Sequence, residues 1–424
     1  MRAAVVGGGL AGLAAALELV DAGHDVTLYE ARPTLGGKVQ TLPPRDGDPD
    51  PPPDNGQHIA LGCFAAYLRF LERIGSAGKV RRAPLALPVI DERGRVATIG
   101  YGLLPLLRYR HVSLADRLRI VRFAARVTRI EPGRRTFGEL LRAEGQSPAA
   151  IERFWEVFLR PALNLRVDEV DAAAALFTVA TALRSGRAAS DLVLPTAPLA
   201  EIHGEAARRA LDEAGATVHT GTRVDDPDSL DADLVVLALP PEEDAFEHSP
   251  IVSVHLLFDR RILPHQLAAL LGSSAHWVFD RGALTGQEPE RGQYLTVVSS
   301  GAPELESLRG RAIVELMARE LTGRLGEAEL LWSRVSREPQ ATIALRPGVE
   351  RPAPGLVRDG VARAGAWLDT GWPVTMESAV ASGVAAANAL VHNATPQRRR
   401  LGGADRQDAR ALPVRPSETT GREI

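Results

Sequence analysis

The residues best suited to chemistry stand at the front of the chain. Residues 2–13 read Arg2-Ala-Ala-Val-Val-Gly7-Gly8-Gly9-Leu10-Ala11-Gly12-Leu13, a short strand running into Gly-x-Gly-x-x-Gly. Such a turn cradles a pyrophosphate. Gly7 permits the tight bend, Gly9 lets the backbone approach the anion, and Gly12 lets the next helix pack against the strand. That helix, predicted over 10–22, aims an N-terminus of about half a positive charge at the phosphates. A second strand ends at Glu30, 18 positions after Gly12, where a carboxylate meets a ribose 2′-hydroxyl and disfavours a 2′-phosphate. A secretory leader is the competing reading, but Glu18 and Asp21 interrupt the apolar run and no cleavage site follows.

These residues need a doubly wound sheet to hold them, and 424 residues suffice for two or three domains with real cores. A net charge of −3 carries no nucleic-acid footprint. The single cysteine, Cys63, forms no internal disulfide and suits a reducing, cytoplasmic compartment. No run of 18 apolar residues is free of charge, so no transmembrane helix is expected.

Beyond a proline-rich loop lies Asp54-Asn55-Gly56-Gln57-His58, which by itself reads as a solvated turn as readily as a site. Residues 85–99 read as a hairpin. The stretch 113–129 is amphipathic, with Leu114, Leu118, Val121 and Ala125 on one side and five arginines on the other. It suits a membrane interface or, equally, a buried helix with a solvated basic face. Phe154 and Trp155 lie at helical spacing, more often core than cavity lining. Strands at 217–220 and 233–239 return the chain to the first sheet, with Val224 beside it. Later strands, near 251–258, 276–280, 293–299 and 330–335, build a second sheet, and a long helix is predicted over 304–325. Near the end, Gly365-Ala366-Trp367-Leu-Asp369-Thr370-Gly371-Trp372-Pro373-Val-Thr375-Met376-Glu377 forms a second glycine-rich turn before a helix.

Gly36-Gly37-Lys38, just after Glu30, resembles the FAD signature of the amine oxidase and phytoene desaturase superfamily, which favours FAD over NAD. With the segments 54–63 and 369–377, nearly the whole chain to about Leu390 is similar to the squalene-associated FAD-dependent desaturases, the hydroxysqualene dehydroxylase family. The resemblance implies an α/β fold: a discontinuous Rossmann-like FAD domain of the glutathione-reductase type (1–80, 196–249, 356–393) beside an α+β substrate and membrane-facing domain (81–195, 250–355). Residues from 394 onward read as a disordered tail.

It further implies loss of a hydroxyl from hydroxysqualene and hydride transfer from reduced FAD, giving squalene, with Asp54 and His58 as candidate general acids. FAD would lie against Gly7, Gly9, Leu10, Ala11, Gly12, Glu30, Ala31, Gly36, Gly37, Lys38, Asn55, Gly56, Val224, Gly365, Asp369, Trp372, Pro373, Thr375 and Met376. Trp155, Phe154 and Trp372 are candidates to steady a cationic substrate through their ring faces. The family usually has Gly-Asp where this chain has Gly365-Ala366. A triterpene would be taken from a bilayer, peripherally at the inner membrane face, or handed over by the enzyme before it. Carotenoid desaturation or isomerisation, and non-catalytic polyprenyl binding, are the competing readings.

Overall fold

The computed structural model describes residues 1–407. Its first sheet is assembled from three distant parts of the chain. The strand order is Gly355–Arg358, Val361–Arg363, Leu234–Leu237, Arg2–Val6, Asp25–Glu30, Thr217–Thr220. All neighbours are parallel except the outermost pair, 355–358 with 361–363. Parallel strands buried on their faces read as apolar runs, and Ala3, Val5, Val26, Leu28 and Val236 are sealed. The alanine-rich helix Leu10–Asp21 and the final helix Met376–Gln407 pack together over one side of this sheet. Alanine permits that close approach: Ala14, Ala15, Ala386 and Ala387 share one core. The opposite side carries only a small cluster of Ala4, Val235 and Val361, covered by Leu230 and Ala232 from the short link before Leu234–Leu237.

The second sheet has seven strands, ordered Leu330–Ile343, His248–Phe258, Gln293–Ser300, Trp277–Asp280, Leu267–Leu270, Ala86–Ile90, Val96–Gly100. Its alternation separates two surfaces. Val252, Val254, Leu256 and Val297 pack with Ile313, Met317 and Leu321 of the helix Arg311–Leu325. On the other surface Leu267, Ala269, Trp277 and Phe279 share a core with Trp155, Leu159 and Leu163 of the helices that follow residue 103. A small third sheet joins Ala60–Leu61, Leu192–Pro195 and Val80–Ala83.

Several expectations are corrected. The helix foreseen over 304–325 begins at Arg311, after a separate turn Pro303–Leu305. In the helix Leu114–Arg126 the buried residues are Asp116, Ile120 and Phe123, while Leu114 and Leu118 face solvent. The final helix runs past residue 394 to Gln407, so the tail read as irregular from 394 is helical in its first part, and 408–424 lie outside the described residues.

Candidate functional site

The glycine turn has the geometry its sequence requires. Gly7 takes φ +108°, and a Cβ there would lie 2.3 Å from the Ala238 carbonyl oxygen. Gly37 also has positive φ, and a Cβ on it would come within 2.8 Å of Gly9 Cα. The Gly36-Gly37 turn is thus clamped on the first loop, with the Gly36 N–H donating to the Gly8 carbonyl at 2.8 Å. Gly9 begins the helix Leu10–Asp21 without a side-chain cap, and the first turn, with Leu10, Ala11 and Gly12, holds no acid. Its N–H groups are therefore open to an anion. Glu30 closes the second strand; its carboxylate accepts the Gly8 N–H at 2.6 Å and the Arg32 N–H at 2.8 Å. Ala31 is exposed beside it, and Val224 is half-buried just past residues 221–222, whose N–H groups bond to the Arg32 and Glu30 carbonyls.

The Asp54–His58 loop lies between the Gly36–Lys38 turn and the second sheet. Asn55 donates from Nδ2 to the Lys38 carbonyl at 2.8 Å and to Glu338 at 3.2 Å. The Lys38 ammonium donates to the Gln340 and Ala341 carbonyls on the second sheet. Asp54 is 1% exposed. Its Oδ1 accepts from the Thr41 hydroxyl at 2.7 Å and the Leu199 N–H at 3.0 Å, and its Oδ2 faces the Arg281 guanidinium at 2.5 Å. Burial pushes its carboxyl above the usual range, against the pull of Arg281. Oδ1 is hydrogen-bonded, while the buried Oδ2 faces Arg281 as an ion pair without a hydrogen bond, so Asp54 anchors the loop to Arg281 beside the second sheet.

His58 has no hydrogen-bond partner among the described residues, and burial lowers its pKa to about 4. The ring is therefore neutral at pH 7. A methyl on Gly56 would sit 3.1 Å from Ser253 Oγ and 3.8 Å from His58 Nε2, which brings these two groups to one side of the loop.

The roof over this loop was not foreseen. Ser253 and His255 share a face of their strand with Thr296 and Tyr294 of one neighbour and Ser336 and Arg334 of the other. Ser253 Oγ, His255 Nε2 and Tyr294 Oη are buried with no hydrogen-bond partner. Orphaned polar atoms in a dry interior are costly, and they mark where a bound molecule or water completes the bonding. Burial lowers the pKa of His255 to about 3. The polar every-second residue in Val252-Ser253-Val254-His255-Leu256 was the available signal. Nothing local pointed to Arg281.

The second glycine turn also has its supports. Gly365 donates its N–H to Ser382 Oγ at 2.8 Å. Asp369 accepts from the Gly371 N–H at 3.1 Å and pairs with Arg351 at 3.2 Å, so its carboxylate is already engaged. Thr375 Oγ1 accepts the Ser378 N–H at 3.3 Å as Met376 begins the last helix. Glu377 accepts the Ala66 and Tyr67 N–H groups at 3.0 and 2.8 Å, capping the helix Ala65–Arg73, which has no side-chain cap of its own. Trp372 stands edge-on between Phe64 and Phe177, with ring centroids 5.5 and 5.2 Å away. With Pro373 and Phe177 it lines a cleft of about 240 Å³.

Trp155 is corrected. It is 1% exposed, packed against Phe123 and Phe137, and its indole N–H donates to Gln146 at 3.0 Å. It is a core residue with no open ring face. Phe154 is half-buried against Tyr109 and Trp155.

The model of the family described as flavin containing amine oxidoreductase matches residues 10–391. The chain belongs to that family. FAD is accordingly its cofactor, and the uncapped helix start, Glu30 and the clamped Gly-Gly turn fit it. Of solved structures, an oxidoreductase from Methanosarcina mazei has the same fold, with a TM-score of 0.70 and 19% identity over 91% of this chain and 99% of that one. A hydroxysqualene dehydroxylase from Sinorhizobium fredii is 25% identical over 91% of this chain and 97% of its own length. A zeta-carotene desaturase from Synechocystis is 38% identical, but over only 24% of this chain and 21% of its own length. As a member of the flavin-containing amine oxidoreductases, this protein is an FAD-dependent oxidoreductase. Among its described residues, no helix is long and apolar enough to cross a membrane.

Proposed function

We propose that this flavoprotein reduces hydroxysqualene to squalene. One observation carries the reading. The likeness to the Sinorhizobium dehydroxylase runs through 91% of the chain, whereas the likenesses to zeta-carotene desaturases take in from 18% to 53% of it. A match that runs nearly the whole length of both chains weighs more than a shorter match of greater local identity. Reduced FAD supplies the hydride.

The chain's own residues handle the hydroxyl. Ser253 and His58 border one side of Gly56, where a departing hydroxyl finds a hydroxyl donor and a neutral imidazole. Arg281 holds Asp54, and Asp54 holds the loop that carries His58. The protonated imidazole is a strong acid but scarce at pH 7, given a pKa of about 4. Turnover therefore rises as pH falls toward that value.

The test is anaerobic reduction of the purified flavoprotein followed by hydroxysqualene in liposomes. Squalene appearing together with reoxidised flavin supports the proposal. Flavin that stays reduced with hydroxysqualene, while zeta-carotene is desaturated by the oxidised protein, overturns it in favour of the carotenoid reading. His58→Gln retains flavin and loses about 100-fold or more in turnover; full activity in that variant removes His58 from the mechanism.

A further inference from the structure

Four leucines on two consecutive helices stand in solvent. In Leu103–Arg108, Leu103 is 55% and Leu104 57% exposed; in Leu114–Arg126, Leu114 is 61% and Leu118 55% exposed. The seven other exposed large apolar side chains among the described residues are spread over six places in the chain. Scattered exposure is ordinary, whereas a cluster on one pair of helices marks a surface that meets something.

The exposure belongs to a braced structure and not to a frayed end. Arg117 donates to the Leu107 carbonyl at 2.8 Å and to the Val112 carbonyl at 3.2 Å, joining the two helices. Tyr109 is fully buried and donates to the Arg153 carbonyl at 2.5 Å, and His111 bonds to the Val89 carbonyl at 2.8 Å. Ile120 and Phe123 anchor the second helix in the core. Leu114 and Leu118 are one turn apart and share a face that points away from that core.

The charge around these leucines is one-sided. Residues 101–129 hold seven arginines against one acid, Asp116, a net charge of +6 in a chain of net −3. Asp116 is buried, and Ser113 and Arg119 hold it. Arg108, Arg110, Arg122 and Arg129 are exposed and form no ion pair among the described residues. Two copies of such a face repel each other, and a protein-binding core is normally depleted of charge. Leucines that need an apolar phase, ringed by free guanidinium groups, match a bilayer with anionic headgroups.

We propose that the helices Leu103–Arg108 and Leu114–Arg126 dock this protein on an anionic lipid bilayer, the leucines entering the acyl boundary and the arginines meeting lipid phosphates. The inference names a partner for the lipid-substrate reading but does not depend on it, because its test contains no substrate.

The experiment is co-sedimentation of the full-length flavoprotein with vesicles of phosphatidylcholine alone or mixed with phosphatidylglycerol. Binding to the mixed vesicles, weakened by salt, is the expected result. R110S/R122S loses affinity by about five-fold per arginine, and L103S/L104S/L114S/L118S loses at least as much. R209S/R319S, elsewhere on the surface, binds as the parent does. All sites are exposed, so flavin absorption and urea midpoint should stay at parental values; if the leucine variant unfolds, the arginine variant decides alone. No binding to mixed vesicles overturns the proposal, as does binding that both variants keep. A parent that self-associates through these leucines and ignores vesicles overturns it in favour of a contact between copies. Failure of the squalene reading leaves all of these results unchanged.

Discussion

Asp54 and Arg281 meet at 2.5 Å with 1% and 2% of their side chains exposed, one on the loop beside the Gly-Gly turn and the other at the end of the second sheet. This pair joins the Asp54–His58 loop to the end of the strand Trp277–Asp280 of the second sheet. Arg281 reaches further, donating to the Pro52 carbonyl at 3.1 Å.

Breaking the pair from one side leaves a buried, uncompensated charge. Arg281→Met should cost about 3–5 kcal/mol, while Asp54→Asn combined with Arg281→Met should recover much of that loss. Urea unfolding of the two variants measures the difference. If the single variant is no less stable than the double, the pair does not hold the loop to the second sheet.

Stability should fall in mild acid. His203 donates from Nδ1 to the Leu199 carbonyl at 2.9 Å and, as a neutral ring, accepts the Tyr67 hydroxyl at Nε2 at 2.8 Å; burial lowers its pKa to about 3, as it does for His255. In the unfolded chain these rings take up protons below about pH 6.5. The folded chain resists that uptake until about pH 3. Their contribution is complete above about pH 6.5 and declines as pH drops, by up to about 1.4 kcal/mol per unit for each ring. Urea midpoints at pH 7.5 and pH 5 test the slope, and His255→Gln should flatten it.

Glu30 serves the fold and the cofactor at once, because its carboxylate holds the Gly8 N–H of the phosphate loop. Glu30→Ala should weaken FAD by about 10- to 150-fold, the value of one charge-assisted hydrogen bond. Fluorescence titration of the apoprotein with FAD reads this directly, and unchanged affinity would remove Glu30 from the site.

Ala366 stands beside the second glycine turn, where its carbonyl accepts the Ser378 hydroxyl at 3.0 Å. Asp369 is engaged through one oxygen by Arg351 and the Gly371 N–H. Ala366→Asp should tighten FAD, by about 10- to 150-fold if the new oxygen gains a charge-assisted bond. The same titration decides it; looser binding in the variant means that the turn has closed around alanine.

The tryptophans should separate by what they lose. Trp155→Ala empties a packed site and should cost about 3–5 kcal/mol. Trp372→Ala opens a half-buried position beside the cleft with Phe177, so it should change substrate KM more than the urea midpoint. A large stability loss in both would place Trp372 in the core too.

What the sequence determined by itself is contiguous and rooted in backbone geometry. Gly7, Gly12, Gly36 and Gly37 specify a turn because other residues do not fit where those chain segments touch, and Glu30 follows at the distance that a strand and a helix impose. That was enough for the cofactor and for the class of sheet. Which faces are covered was left to the tertiary structure. Helical spacing favoured the core for Trp155 and left Leu114 and Leu118 open between core and interface, and only the packing of neighbouring elements put Trp155 inside and the leucines outside. Alternation along 252–256 marked two surfaces without saying that one would roof the Asp54–His58 loop. The partner of Asp54 was the least legible of all. A buried carboxylate must find its cation wherever the fold brings one, and here Arg281 arrives 227 positions after Asp54.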